Sequence, residues 1–178
     1  MDALAIMRGF ARNSAWANHR LYGACAQLSH EEQHATRTSF FPTIMKTLNH
    51  NLIVDWYYID ALARGGRGQA VFASDEPFAE LAALRAAQLA SDRELVALVD
   101  RMQAAELDDD IVLERRVGPK HDTAGAVLLH LFQHQIHHRG QVHAMLAGTR
   151  VAPPQLDEYF LREDQPLRTR ELDELEIG

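Results

Sequence analysis

Residues 123–148 read TAGAVLLHLFQHQIHHRGQVHAMLAG, a segment in which an apolar helical pattern and a group of histidines coincide. Apolar residues recur there every three or four positions, the spacing that aligns side chains on one face of an α-helix. Gly148 suits the position just after a helix end. The pattern therefore predicts a helix that begins near Asp122 or Thr123 and ends at Ala147.

Three further helices are predicted upstream, at about residues 2–28, 42–64 and 77–105. Pro42 suits the first position of the second helix, and a pair of glycines ends it. Helices of roughly 22 to 29 residues are about 33 to 44 Å long at 1.5 Å per residue, which suits the helices of a bundle. We therefore expect an all-α fold built as a four-helix bundle.

The connections between these helices predict short additional elements. Residues 29–32, SHEE, have the spacing of a capping box and predict an extra helical turn. Residues 111–113 favour a short strand, and the charged, partly irregular tail 155–178 has room for one short helix around 156–162. Because no repeat or Pro/Ser-rich linker divides the chain, residues 1–178 are expected to form a single helical-bundle domain.

The composition excludes several classes of function. The 178 residues include 18 basic and 25 acidic side chains, and the net charge of −7 repels nucleic acid and anionic membranes. No stretch approaches the length of a membrane span, and the N-terminus from Met1 lacks a basic and apolar leader. Cys25 is the single cysteine, so no intramolecular disulfide can form. We therefore expect a cytoplasmic protein with neither nucleic-acid nor membrane partners.

Histidines are concentrated around the last long helix, because six of the ten fall within residues 121–143 and five of these lie in the predicted helix. At roughly 100° per residue, His134 and His138 lie one turn apart on an arc shared with apolar side chains. His143 lies on another face, and His130 and His137 lie nearer the edge of the apolar arc. The spacing thus selects His134 and His138 as the pair that faces the interior.

A pair of histidines four residues apart can bind one metal ion, because their imidazoles lie one above the other. Such pairs also arise by chance on surface helices, so a third histidine is needed for a stronger inference. His50 lies midway along the second helix, on a stripe that it shares with Val54 and Tyr57. Buried histidines require hydrogen-bond partners or a metal. The three histidines together therefore favour a metal site.

Four segments carry a family resemblance. HQIHHRGQ at 134–141 resembles the H-x-x-H-H-R-G-Q signature of the DinB (DinB/YfiT-like) family, which is regarded as a family of metalloenzymes. TLNH at 47–50 is similar to the histidine-bearing turn of that family's second helix. WAN at 16–18 and PPQLD at 153–157 also resemble family elements. The likeness extends over most of the chain.

The resemblance implies a four-helix bundle, expected as a homodimer, in which His50, His134 and His138 bind one divalent metal ion. Three neutral imidazoles leave coordination positions open, as catalytic sites require. Nitrogen ligands suit Zn²⁺, Ni²⁺, Fe²⁺ or Cu²⁺, and spacing does not choose among them. We expect the cofactor to be Zn, Ni or Fe.

Activities characterised in the wider superfamily include transfers that involve low-molecular-weight thiols. By analogy, a metal-activated thiolate would attack a small electrophilic substrate, in an S-transfer or an isomerisation. The same scaffold could carry metal-dependent hydrolysis. Two alternatives without catalysis stay open: a metal-binding stress-response protein, and an interaction bundle whose histidines bind nothing.

Three residues are candidates for positions around the metal. Tyr57 is aimed well enough to orient a substrate, although a core aromatic is the simpler interpretation. Gln141 could hydrogen-bond a ligand, and His130 could do the same, with helix packing and surface exposure as the respective alternatives. Asp55 is predicted to point away from His50, and no HExxH motif supplies a glutamate base.

Overall fold

The computed structural model describes residues 2–178 and consists mostly of helices, which confirms the all-α prediction. The helices are α1 (Ala3–Cys25), α2 (His30–His34), α3 (Ile44–Leu62), α4 (Leu81–Arg101), α5 (Ala124–Ala147) and α6 (Gln165–Glu174). Helices α1 and α3 each pack against both α4 and α5, so the four long helices form a bundle. Two short strands, β1 (Asp110–Leu113) and β2 (Lys120–Thr123), pair in the connection before α5.

Side-chain caps fix where α3 and α5 begin. The Thr123 side chain accepts a hydrogen bond from the Ala126 amide, and α5 starts immediately after it, near the predicted position. In α3 the Thr43 side chain accepts from the Lys46 amide. Pro42 was expected as the first helical residue, but the cap at Thr43 places it outside the helix.

The connecting elements agree with the sequence only in part. The capping box at Ser29 is present and opens α2, and β1 covers the predicted strand at 111–113. The prediction of a short helix around 156–162 is wrong, because the helical residues of the tail begin with a 3-10 turn at Arg162–Asp164 and continue in α6, with Pro166 in its first turn. Helix α4 is shorter than the predicted span 77–105.

The interior of the bundle contains two large apolar clusters, one at each end, and a small third cluster forms around Trp16 and Tyr159. On α5, for example, residues 124–132 contribute to one cluster and residues 142–146 to the other. The same division recurs on α1, α3 and α4, where buried polar residues lie between the two apolar regions. We call this set the central polar layer; its members are Ser14, Asn18, Asp55, Gln88, Asp92, Gln135 and Arg139.

Hydrogen bonds connect the central polar layer across all four long helices. Asp55 accepts from Gln135 Nε2 through Oδ1 at 2.9 Å and from Gln88 Nε2 through Oδ2 at 2.8 Å. Asp92 Oδ1 accepts from Gln88 Nε2 and from Asn18 Nδ2, each at 2.9 Å. Burial raises the pKa of Asp55 to about 7 and that of Asp92 to about 6. Paired, buried polar groups of this kind restrict how helices can align, because a shifted helix would leave them unsatisfied.

No helix among residues 2–178 is both long and apolar enough to cross a membrane. The expectation that residues 1–178 form one domain stays a prediction. Met1, the first residue of that range and of the N-terminal segment, lies outside the described residues.

Candidate metal centre

Three histidines from two adjacent helices, α3 and α5, meet in one cluster. His50 projects from α3, and His134 and His138 project from α5 one turn apart. The Nε2 atoms of His50 and His134 are 3.1 Å apart, and one ligand nitrogen from each of the three residues lies within 4.8 Å of the others. The packing of α3 against α5 therefore brings together the three residues that the sequence selected as metal ligands.

The environment keeps these imidazoles neutral. Burial, together with the charges of neighbouring histidines, lowers the pKa of His50 to about 4 and that of His134 to about 3. The pKa of His138, which is 6% exposed, is also lowered by burial, while its hydrogen bond to Gln141 opposes the shift. Neutral imidazole is the form that binds a metal ion, so the three side chains are prepared for ligation at neutral pH.

Gln141 holds one of the three rings in a defined orientation. Its Oε1 accepts a hydrogen bond of 2.8 Å from His138 Nδ1, which places the proton of the neutral ring on Nδ1. Its Nε2 donates to His137 Nε2 at 3.1 Å. The lone pair of His138 is consequently on Nε2, the nitrogen that remains for a metal ion.

Phe41 covers one side of the histidine cluster. Its ring centroid lies 4.3 Å from that of His50 and 5.6 Å from that of His138. The aromatic ring excludes water from these two imidazoles and contributes to their burial. Phe41 is not predictable from the sequence, because it lies in the connection between α2 and α3, where no periodicity indicates which side chains face inward.

Within residues 2–178, the groups that could bind a metal ion in this cluster are three histidine side chains, and no carboxylate belongs to it. Asp55, expected to point away from His50, is bonded within the central polar layer. The charge of Asp75 acts on His50 and opposes the lowering of its pKa. The donor set, three neutral imidazole nitrogens, fits a borderline divalent metal ion.

The model of the DinB family matches residues 5–171. The chain belongs to the DinB family. A search of curated proteins found no similar sequence. The family assignment confirms the resemblance that the histidine motif on α5 and the TLNH turn on α3 indicated, and it covers nearly the whole chain.

The other candidates of this DinB protein occupy different positions. Tyr57 does not join the cluster, because its hydroxyl donates to the Glu114 carbonyl at 2.7 Å. His130 is exposed, with its ring beside Tyr58, and its charge contributes to the lowered pKa of His134. Of the three residues proposed around the metal, Gln141 is the one that hydrogen-bonds a cluster histidine.

A cavity of about 400 Å³ lies beside Gln141 of the DinB protein. The connection before α3 supplies Arg37, Thr38 and Ser39 to one wall, and the C-terminal part of α5 supplies the other. Its volume falls within the range of small-molecule sites, and its wall combines a cation with two hydroxyls. A small polar molecule bound there would lie next to the residue that orients His138.

Proposed function

We propose that this DinB protein is a metal-dependent enzyme whose divalent ion is bound by His50, His134 and His138. The proposal depends on one observation, the convergence of three neutral imidazoles from two packed helices. Zn²⁺, Ni²⁺ and Fe²⁺ suit these ligands. Three protein ligands leave room for an exchangeable one, as catalytic sites require and closed structural sites do not.

We propose further that the reaction is a thiol-dependent transfer or isomerisation. A bound metal ion would supply a lowered thiol pKa and so a thiolate at neutral pH. The chain's own thiol does not serve, because Cys25 is fully buried and burial raises its pKa to about 12. The thiol is therefore a separate low-molecular-weight molecule, and the cavity lined by Arg37, Thr38 and Ser39 offers it a binding surface.

Within residues 2–178, no carboxylate belongs to the cluster of ligand groups, and this distinguishes between hydrolysis, thiol transfer and metal binding without catalysis. Metal-dependent hydrolysis usually employs a general base beside the ion, and no such group belongs to the cluster. A non-catalytic metal-binding protein needs no base, so it is the second candidate. Thiol transfer also needs none, because the metal itself favours the thiolate.

Metal analysis of protein without a histidine tag tests the site. We expect about one equivalent of divalent metal in the unmodified chain and loss of most of it in His50→Ala and His134→Ala. His121→Ala is the matched control, since His121 is exposed on β2 and pairs with Asp110. Unchanged metal content in the two cluster variants would show that the ligand assignment is wrong.

The catalytic step is tested separately with the metal-loaded protein. Small electrophiles are incubated with a panel of cellular thiols, and product formation is followed with and without the metal. Turnover that requires one thiol supports the enzyme, whereas metal binding without turnover across the panel favours the non-catalytic alternative. The homodimer and the cytoplasmic location stay predictions, and sedimentation and cell fractionation measure them.

A further inference from the structure

A second cavity, of about 420 Å³, lies between α1, α5 and the tail segment before α6. On α5 it is lined by Ile136, Gly140 and His143. At roughly 100° per residue these positions lie on the side of the helix opposite His134 and His138. This cavity, which we call the α1/α5 cavity, is therefore separate from the metal centre.

Two deeply buried polar side chains line the α1/α5 cavity with unused hydrogen-bonding capacity. Arg139 is 4% exposed, and its Nη1 donates to Ser14 and Asn18, but its Nε and Nη2 bond to nothing in residues 2–178. Asn13 is 7% exposed, and its side-chain amide has no partner in that same part of the chain. Among residues 2–178, the fully enclosed polar atoms without a partner do not include those of Arg139 or Asn13, so these free donor groups are reached from the cavity and can donate to a bound acceptor.

The remaining wall of the α1/α5 cavity is largely apolar. The rings of Phe10 and Phe160 lie 5.0 Å apart between centroids, and Leu156 and the half-exposed Ile136 extend the same surface. His143 fixes the tail that carries part of this wall, because its Nε2 donates to the Pro154 carbonyl at 3.0 Å. The cavity thus combines an apolar wall with two buried donors.

We propose that the α1/α5 cavity binds a small monocarboxylate with an aromatic or aliphatic body. The carboxylate accepts hydrogen bonds from Arg139 and Asn13, a charge-assisted arrangement, while the body packs against Phe10 and Phe160. Asp157 also lines the cavity and disfavours a second negative charge on the ligand. The volume agrees with that of small-molecule sites in general.

Gly140 provides a variant that closes the cavity without disturbing the core. A Cβ added there meets no atom within 4 Å, and the position is exposed and helical, so Gly140→Leu is compatible with the fold. The leucine side chain fills part of the cavity. Gly23→Leu is the matched control, since Gly23 is also helical with no atom within 4 Å of an added Cβ and does not line the cavity.

The probes are 3-phenylpropanoate and its amide, 3-phenylpropanamide, titrated into the full-length protein by calorimetry. We expect the carboxylate to bind about tenfold more tightly than the amide, because a guanidinium donates stronger hydrogen bonds to an anionic oxygen than to a neutral carbonyl. Gly140→Leu should weaken carboxylate binding at least about tenfold, Asn13→Ala should weaken it several-fold, and Gly23→Leu should leave it unchanged. The metal content of Gly140→Leu should equal that of the unmodified chain, which separates this site from the proposed metal centre.

Three results would overturn the proposal. Equal affinity for the acid and the amide would show that the cavity does not select a carboxylate. Unchanged carboxylate affinity in Gly140→Leu would show that the ligand binds elsewhere. If the unmodified protein is a dimer that does not measurably bind the carboxylate, and Gly140→Leu dissociates this dimer, a second copy of the chain covers the cavity instead. Circular dichroism of each variant verifies that the helices are retained.

Discussion

His138 Nδ1 donates a hydrogen bond of 2.8 Å to Gln141 Oε1, so one residue of α5 orients the ring of another. Groups that hold a metal-binding histidine in this way raise metal affinity by about 10- to 100-fold. We therefore expect Gln141→Ala to weaken metal binding at least about tenfold, measured by competition with a chromophoric chelator. Gln141→Glu, which keeps the acceptor, should recover most of the affinity. Gln133→Ala, on an exposed position of the same helix, should change nothing.

Metal retention should persist into moderately acidic solution. Protons compete with the metal only near and below the folded-state pKa values of the ligands, which are about 4 for His50, about 3 for His134 and lowered from the ordinary value for His138. An ordinary histidine with a pKa of about 6.5 would begin to lose metal near pH 6. We expect metal content to stay nearly constant between about pH 7 and pH 5 and to fall below that range. Half-loss near pH 6.5 in an equilibrium titration would contradict the protected environment of the cluster.

The sequence predicted the histidine pair on α5 because four-residue spacing on a helix is visible in the chain. His50 could be predicted as well, because apolar neighbours repeat around it with the helical period and the TLNH turn resembles the corresponding turn of the family. Strand β2 was missed because Lys120–Thr123 is polar and exposed, so no alternation marks it. The contact of Phe41 with His138, and those of Asp55 with its hydrogen-bond partners, join segments that are far apart in the sequence. No local pattern encodes such contacts.

Loss of a carboxylate from the central polar layer should be far more costly than loss of one at the surface. Asp92 is buried, accepts hydrogen bonds from Gln88 and Asn18, and its charge acts on the buried Arg139. Asp92→Ala should therefore cost about 3–5 kcal/mol of stability. Asp100 binds Arg12 at 2.8 Å with its side chain 39% exposed, so Asp100→Ala should cost at most about 1 kcal/mol. Urea denaturation of both variants measures the difference. Equal costs would show that Asp92 does not stabilise the buried arginine.

Asp55 should make the stability of the protein depend on pH. Because its folded-state pKa is raised to about 7, the folded protein holds a proton that the unfolded chain releases near pH 4. The stability contributed by the protonated carboxyl is therefore present at low pH and is lost as the pH rises from about 4 to 7. Asp55→Asn removes this dependence, so the variant should be more destabilised relative to the unmodified protein at about pH 5 than at pH 8. A constant difference in urea denaturation would contradict this prediction.

Phe41 and Phe40 are adjacent in sequence but have opposite environments, which makes them a matched pair for testing the cover over the metal centre. Phe41 packs on His50 and His138, whereas Phe40 is 81% exposed. Phe41→Ala admits water to the imidazoles, so the pKa of His50 should rise toward its ordinary value, observed by NMR titration of the metal-free protein. The affinity for metal should then decline more steeply as the pH is lowered, because protons compete more effectively with the ion. Phe40→Ala should leave both quantities unchanged, and a similar response in the two variants would mean that Phe41 does not shield the histidines.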